Sequence, residues 1–258
     1  MKRVEVYGGL VLVTCLLSAP VVAQDAERIE PKAVEIVEAA AATLAGSDTI
    51  AANWFVSFDE VIDGREIVTH TRSGEVLLDR AQGYYAHAEQ EEGARAYYFD
   101  NATISVHLLN QDSYVQAPYA GTFDALAHRI AEEYDTALPI WQLLVTDNAD
   151  ELLGDVTSAA YLGRKKIVGQ DTHHVALSTY EYDLQIWVSD DPDMPVPIMM
   201  VGTNPYEQGW PQYRAFLSDW DFAPDIEEGF FTFEPDADMT RLAWPKHNSE
   251  NNAEGEGQ

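Results

Sequence analysis

Closely spaced turn signals between short alternating segments constrain the fold of this 258-residue chain more than any other feature. Six segments of strand character follow one another at Glu66 to Thr71, Glu75 to Arg80, Tyr84 to Ala88, Arg95 to Asp100, Thr103 to Leu108 and Tyr114 to Ala117. Turn-forming pairs such as Ser73-Gly74 and Asp100-Asn101 separate them. Because the connections are too short for helical crossovers, the pattern predicts an antiparallel meander.

Three more consecutive strands are predicted between Asp183 and Trp220. Leu184 to Val188 is followed by the loop Asp190 to Asp193, whose proline and clustered carboxylates predict a turn rather than a continued sheet. Pro197 to Val201 and then Gln212 to Trp220 complete the set. The carboxylates of the Asp190 to Asp193 loop could also hold calcium, but the loop lacks the glycine and the distal glutamate of an EF-hand.

Further strands are predicted at Trp54 to Phe58, Ser158 to Gly163, Val175 to Thr179 and Phe230 to Phe233. Helical spacing of apolar residues predicts helices at Pro31 to Gly46, Phe123 to Tyr134 with Thr122 as cap, Leu138 to Leu144, and Ala149 to Leu153. The helical insert is too small to bury a core of its own, so we expect it to cover one face of the sheet. The sequence therefore predicts an α+β fold with a curved antiparallel sheet.

The two ends of the chain differ from its centre. Residues 1–23 resemble an export signal, with Lys2 and Arg3 before an apolar run that is too short for a membrane anchor and ends at a cleavage-like site after Ala23. The only cysteine, Cys15, lies in that signal, so the mature chain would have no disulfide and no thiolate. Residues 24–245 are predicted to form a single domain and residues 246–258 a disordered acidic tail.

The charge of the chain excludes two kinds of partner. It has 44 acidic and 15 basic residues and a formal net charge of -29. Phosphate backbones and anionic lipid surfaces repel such a protein, so nucleic acid is excluded and any lipid contact has to be apolar. We expect no stable insertion into a membrane, and the sequence leaves the oligomeric state open.

Catalytic and metal-binding motifs are absent from the sequence. There is no G-x-S-x-G elbow and no Ser-x-x-Lys pair, and the seven histidines show no metal-binding spacing. Two of the many carboxylates could form a glycosidase-like pair, but in so acidic a chain chance supplies such pairs. The sequence predicts a non-enzymatic protein with no cofactor and no metal.

Aromatic residues are the remaining distinctive feature. Most belong in a core, but together they could leave an apolar pocket between the sheet and the helices. The candidates for contact with a ligand in this pocket are Trp54, Phe58, Tyr85, Tyr98, Trp141, Trp187, Phe216 and Trp220.

Several short segments resemble a family of predicted bacterial periplasmic proteins classed as a domain of unknown function. They include Tyr98 to Asn101, Tyr114 to Pro118, Tyr161 to Gly163, Gln185 to Val188, Phe216 to Trp220 and Phe231 to Pro235. That family looks like the fold of the periplasmic lipoprotein carriers LolA and LolB. The resemblance implies an incomplete antiparallel β-barrel wrapped around a helical lid, with an apolar cavity.

Two functions follow as hypotheses. The first is an exported, non-enzymatic binding or carrier protein for a hydrophobic ligand, such as a lipid, an acyl chain or a lipoprotein, in the periplasm or outside the cell. The alternative is a structural or protein-interaction module of the periplasm, whose interior is filled by its own side chains. An apolar void between sheet and lid distinguishes the first from the second.

Overall fold

The computed structural model describes residues 28–134, 136–244 and 246. The helices in this part of the chain are α1 (Pro31–Ala45), α2 (Phe123–Tyr134), α3 (Trp141–Leu144) and α4 (Asn148–Leu153). The strands are β1 (Thr49–Ile62), β2 (Glu66–Asp79), β3 (Gly83–Gln90), β4 (Gly93–Phe99), β5 (Thr103–Leu108), β6 (Ser113–Pro118), β7 (Ser158–Ile167), β8 (Gln170–Ser178), β9 (Asp183–Ser189), β10 (Pro197–Thr203), β11 (Gln212–Asp221) and β12 (Thr240–Arg241). The predicted signal peptide and, apart from Lys246, the predicted tail lie outside the described residues.

All twelve strands belong to one open, curved sheet in the order β12-β6-β5-β4-β3-β2-β1-β11-β10-β9-β8-β7. Neighbouring strands are antiparallel except for the short parallel pair of β12 and β6. The meander β1 to β6 is joined to the meander β7 to β11 by pairing of β1 with β11, where Trp54 lies opposite Leu217. The predicted fold class, a curved antiparallel sheet with few helices, is confirmed.

Alternation along the strands decides which face of the sheet is inside. In β1, Ile50, Ala52, Trp54 and Val56 are buried, while Phe55 between them is 42% exposed. The buried positions share one core with α2, α3 and the inner faces of β2 to β6, β10 and β11. A second cluster joins α1 to β7, β8 and β9. The helices therefore lie on the concave side, which we call the inner face.

The side chain of Arg80, directly after β2, contacts the three helices α1, α2 and α3. Its guanidinium donates to the carbonyl oxygens of Leu44 at 3.0 Å, Ser47 at 2.9 Å and Leu144 at 2.9 Å. It also faces the Asp124 carboxylate at 3.5 Å. Leu44 and Leu144 lie in the last turns of α1 and α3, where carbonyl oxygens lack partners within their own helix. Arg80 donates to both oxygens, and the Leu44 oxygen also accepts from the Ser47 N–H at 3.3 Å.

The predicted break at Ser73-Gly74 is wrong, because β2 runs unbroken from Glu66 to Asp79. Gly74 lies in mid-strand, opposite Trp54 on one side and Ala88 on the other. A Cβ atom at Gly74 would meet the His87 carbonyl oxygen at 1.8 Å and Trp54 Cζ2 at 3.0 Å. This glycine is therefore required by the close approach of neighbouring strands and not by a turn.

The predicted final strand at Phe230 to Phe233 is also wrong. This segment crosses the outer face of β3 to β6 without joining the ladder, and it contacts the sheet through its rings. Phe230 lies 5.1 Å from Tyr85 and Phe233 lies 5.3 Å from Tyr98, measured between ring centroids. Phe231 is 3% exposed. Aromatic packing in place of main-chain pairing accounts for the β-like composition of the segment.

Candidate functional site

A cavity of about 510 Å³ lies between the inner face of the sheet and the segment that contains α3. Its volume is within the range of about 300–1,000 Å³ typical of small-molecule sites. Its apolar and aromatic wall is formed by Trp54, Val56, Phe58, Ala88, Tyr97, Ala137, Leu138, Pro139, Ile140, Trp141, Leu143, Leu152, Tyr182, Leu184, Met200, Tyr213 and Ala215. The remaining lining residues are Arg72, Gln90, Gln142 and Glu151.

The segment from Ala137 to Leu144 covers this cavity, and we call it the lid. It is mostly irregular backbone and contains less helix than the sequence predicted. The helix expected from Leu138 spans only Trp141–Leu144. Pro139 disfavours helical backbone at the residue before it, Leu138, and Ile140 has a left-handed φ of 46°. Burial of Leu138 and Leu144 fixes the segment against the core. The Tyr84 hydroxyl donates to the Pro139 carbonyl oxygen at 3.0 Å and ties the segment to β3.

Three of the eight predicted ligand-contact residues lie in the cavity wall. Trp54 and Phe58 come from alternate positions of β1, and Trp141 begins α3. The Trp54 indole N–H is buried and has no acceptor among the described residues. That these three side chains contact a ligand stays a prediction.

Four predicted residues lie outside the cavity, on the outer face of the sheet. Tyr85 and Tyr98 are opposite each other and pack under the Phe230 to Phe233 segment. Trp187 stacks on His174 with a centroid distance of 4.1 Å, and Phe216 lies opposite exposed Phe55. Each of these four residues lies next to buried residues of its own strand that point inward. Because side chains alternate along a strand, the four point away from the cavity.

Trp220, the eighth predicted residue, follows an irregularity in the pairing of β1 with β11. Its indole N–H donates to the Pro197 carbonyl oxygen at 3.1 Å, and its ring is parallel to Phe222 at 6.2 Å. It packs against the core without lining the cavity. Its structure is that of a core residue with a satisfied donor.

Sequence reasoning missed several wall residues that share a face with Trp54 and Phe58. Ala88 and Tyr97 come from β3 and β4, and Met200, Tyr213 and Ala215 come from β10 and β11. Ala215 lies directly opposite Val56, and Tyr213 lies opposite Phe58. Strand alternation combined with the register would have found them, but register is not written in local sequence.

Arg72 and Gln90 line the cavity where it meets a second, more polar cavity, and we call this end the mouth. The Arg72 guanidinium lies 4.8 Å above the centroid of the Phe58 ring. Burial raises the pKa of the Tyr213 hydroxyl, and the positive charge of Arg72 opposes that rise. Burial also raises the pKa of the Tyr182 hydroxyl, and the negative charges of Asp155, then Glu151 add to it.

A second, more polar cavity of about 240 Å³ shares Phe58, Arg72 and Gln90 with the first. Here His70 lies between two carboxylates, with Nδ1 2.9 Å from a Glu91 oxygen and Nε2 3.1 Å from a Glu60 oxygen. The hydrogen bond to Glu91, assisted by both negative charges, raises the pKa of His70 although desolvation opposes it.

His70 is therefore expected to contribute pH-dependent stability. Because its folded-state pKa is raised, the contribution is fully present below the unfolded-state pKa of about 6.5 and is lost as the pH rises through the folded-state pKa. In urea unfolding, His70→Gln should lower the midpoint at about pH 5.5 and leave it unchanged at about pH 9. NMR titration of the imidazole gives the pKa directly, and a value at or below 6.5 would contradict the prediction.

The clustered carboxylates do not form a paired-acid site in the main cavity. Of the described residues that line it, Glu151 is the only acid, whereas glycoside hydrolysis uses two facing carboxyl groups. Glu151 also belongs to a group with His128 and Asp147, two residues that do not line the cavity. The potential metal-ligating atoms of these three residues are within 4.8 Å of one another. His128 Nε2 is itself 3.3 Å from Asp147 carboxylate oxygens. The arrangement is also that of an ordinary exposed ion pair.

The Asp190 to Asp193 loop is a turn between β9 and β10, as one of the two sequence interpretations has it. Asp190 accepts from Arg164 at 2.8 Å and faces His173 Nε2 at 2.7 Å. The other ring nitrogen of His173 lies 2.9 Å from the Tyr161 hydroxyl. Asp190 is therefore bound by cationic and imidazole groups of β7 and β8, and the network ties the turn to those strands.

A family model described as a predicted periplasmic protein (DUF2092) matches residues 33–243. No curated protein matches the chain significantly. In the part of the chain that the structure describes, no helix combines the length and hydropathy needed to span a bilayer.

Solved structures with a similar shape have low sequence identity. LprF from Mycobacterium bovis is 15% identical with a TM-score of 0.48, over 77% of this chain and 96% of that one. The lipoprotein LppX of Mycobacterium tuberculosis is 12% identical with a TM-score of 0.48, over 77% and 100%. A LolA superfamily protein from Nitrosomonas europaea is 14% identical with a TM-score of 0.37, over 78% and 97%.

Proposed function

Since the chain belongs to the DUF2092 family of predicted periplasmic proteins, we propose that it is an exported, non-enzymatic protein that binds or carries one hydrophobic ligand in the bacterial envelope. The observation that supports this function is the cavity of about 510 Å³ between sheet and lid. A cleft of this size with a largely apolar lining is typical of sites for hydrophobic small molecules, because a ligand that fills it removes that lining from water.

The composition of the wall indicates the kind of ligand. Most lining side chains are aliphatic or aromatic, and they offer an acyl chain a surface that is removed from water. Burial of apolar surface contributes about 25 cal/mol per Å², so affinity can come from the chain alone. Lipids, acyl chains and acylated lipoproteins meet these requirements.

Native mass spectrometry of the full-length protein, exported and purified from the periplasm, tests this proposal. We expect a population heavier than the processed chain by the mass of one small molecule, which organic extraction releases. After extraction the empty protein should take up one equivalent of a fluorescent fatty acid. A protein that is always empty and takes up no fatty acid would favour the alternative, a structural or protein-interaction module of the periplasm.

A further inference from the structure

We propose that the ligand is an amphiphile with an anionic headgroup, a carboxylate or a phosphate, and that Arg72 binds this headgroup at the cavity mouth. This inference rests on the proposed function and specifies the ligand of the same cavity. It places the apolar chain against the wall between sheet and lid, and the charged end where the two cavities meet.

The position of Arg72 is the first observation. On β2, Arg72 lies opposite Val56 of β1 and opposite Gln90 of β3, so its side chain starts from the inner face. It borders both cavities, and no other lysine or arginine among the described residues borders either of them. Any ligand that fills the main cavity and reaches the mouth therefore meets this single cation.

The bonding of Arg72 is the second observation. Its guanidinium lies over the Phe58 ring and forms no ion pair with a carboxylate in the described part of the chain. Two of the three acids that line the second cavity, Glu60 and Glu91, bind His70, and the third, Glu92, forms no ion pair with Arg72. Stacking on Phe58 holds the guanidinium plane while leaving its N–H donors to be used.

The location of this cation makes it informative. Among the described residues, Arg28, Arg65, Arg95 and Arg241 also form no ion pair, but none of them borders either cavity. A neutral headgroup can accept only an ordinary hydrogen bond from the guanidinium, whereas a carboxylate or phosphate adds charge and matches its fork of donors in bidentate geometry. The surrounding acids also disfavour anions that lack an apolar chain, which directs selectivity to amphiphiles.

Displacement of a fluorescent fatty acid by four ligands with the same twelve-carbon chain tests the headgroup. The probes are dodecanoate, dodecyl phosphate, dodecanol and dodecyltrimethylammonium. For the wild type we expect both anions to bind about tenfold more tightly than dodecanol. Arg72→Gln should weaken both anions about tenfold and leave dodecanol unchanged. Arg65→Gln removes the same charge from the exposed turn of the same hairpin and should change none of the four.

Each result has one meaning. Equal binding of dodecanoate and dodecanol to the wild type, or unchanged anion binding by Arg72→Gln, overturns the headgroup inference while chain binding still supports the proposed function. Failure of all four chains to bind overturns both. Preference for dodecyl phosphate over dodecanoate, or the reverse, identifies which anion the site selects. Displacement by inorganic phosphate alone would contradict an amphiphile, because the chain would then contribute nothing.

Discussion

Arg80→Met is expected to lower the free energy of unfolding by about 3 kcal/mol, because removal of the charged donor leaves several part-buried acceptors unpaired. The wild-type guanidinium donates to Leu44, Ser47 and Leu144 and faces Asp124. Burial lowers the pKa of Arg80 and the charges of Asp124 and Asp48 oppose this, so the side chain stays cationic. Methionine fills a similar volume but satisfies none of these oxygens.

Urea unfolding followed by circular dichroism measures this loss, and the melting temperature should fall by roughly 6–12 °C. Arg80→Lys keeps the charge but not the fork of donors, so we expect it to be intermediate. Arg65→Met makes the same change on the exposed β1 to β2 turn and should shift stability by less than about 0.5 kcal/mol. Stability of Arg80→Met equal to that of Arg65→Met would show that the helices do not depend on this side chain.

Gly74→Ala is also expected to lower the free energy of unfolding by about 3 kcal/mol, which is at the high end of the usual effect of overpacking. The added methyl would lie 1.8 Å from the His87 carbonyl oxygen, which is backbone of the neighbouring strand and cannot rotate away. It would also touch Trp54, the aromatic residue of the cavity wall. Strand β2 has to separate locally from β3, with loss of ladder hydrogen bonds.

Gly202→Ala is the matched control for this prediction, since Gly202 also lies inside a strand. A Cβ atom there meets nothing within 4 Å, and its φ is outside the left-handed range. We expect a change of less than about 0.5 kcal/mol in unfolding free energy. Chemical denaturation of the two variants side by side decides the matter, and equal stability of the two would refute the close approach at Gly74.

Much of the fold follows from local sequence because alternation and turn chemistry are local. Phe123–Tyr134 and Thr103–Leu108 are predicted to the residue, and the helix that begins at Pro31 ends at Ala45, with the predicted stop residue Gly46 as its C-cap. Gly74 was misread because a serine and glycine pair usually marks a turn. Its actual cause, the contact with His87 and Trp54, depends on strands whose pairing no local pattern specifies.

The cavity was predictable in kind but only partly in its residues. Alternation separates Tyr84 from Tyr85 and Tyr97 from Tyr98, yet it does not tell which member of each pair points inward. Both faces of β3 and β4 are aromatic here, because the Phe230 to Phe233 segment covers the outer face. In β1 the choice was clear, since the apolar residues of the inner face alternate with polar residues of the outer face such as Asn53 and Ser57.

The cation at the mouth had no local signal at all. Arg72 is one of 15 basic residues, and nothing in the neighbouring sequence separates it from Arg65. Its position depends on the β2 register, which places it opposite Val56 and beside the cavity. A residue whose role depends on pairing between strands can be identified only after the strands are aligned.

Filling the cavity tests whether a ligand binds between the sheet and the lid. Ala88 is 5% exposed and lies in the wall on the inner face of β3, so the indole of Ala88→Trp would occupy space that the ligand needs. Ala94 of β4 is half-buried and lies opposite exposed Glu89, on the other face of the sheet, so Ala94→Trp is the matched control.

The measurement is the stoichiometry and affinity of dodecanoate binding, by titration calorimetry, for folded wild type and both variants. Binding between the sheet and the lid predicts one dodecanoate per chain for the wild type and for Ala94→Trp. It predicts binding weakened more than about tenfold, a loss of at least about 1.4 kcal/mol, for Ala88→Trp. Undiminished binding by a folded Ala88→Trp would contradict it, because the ligand would then lie outside the space between sheet and lid.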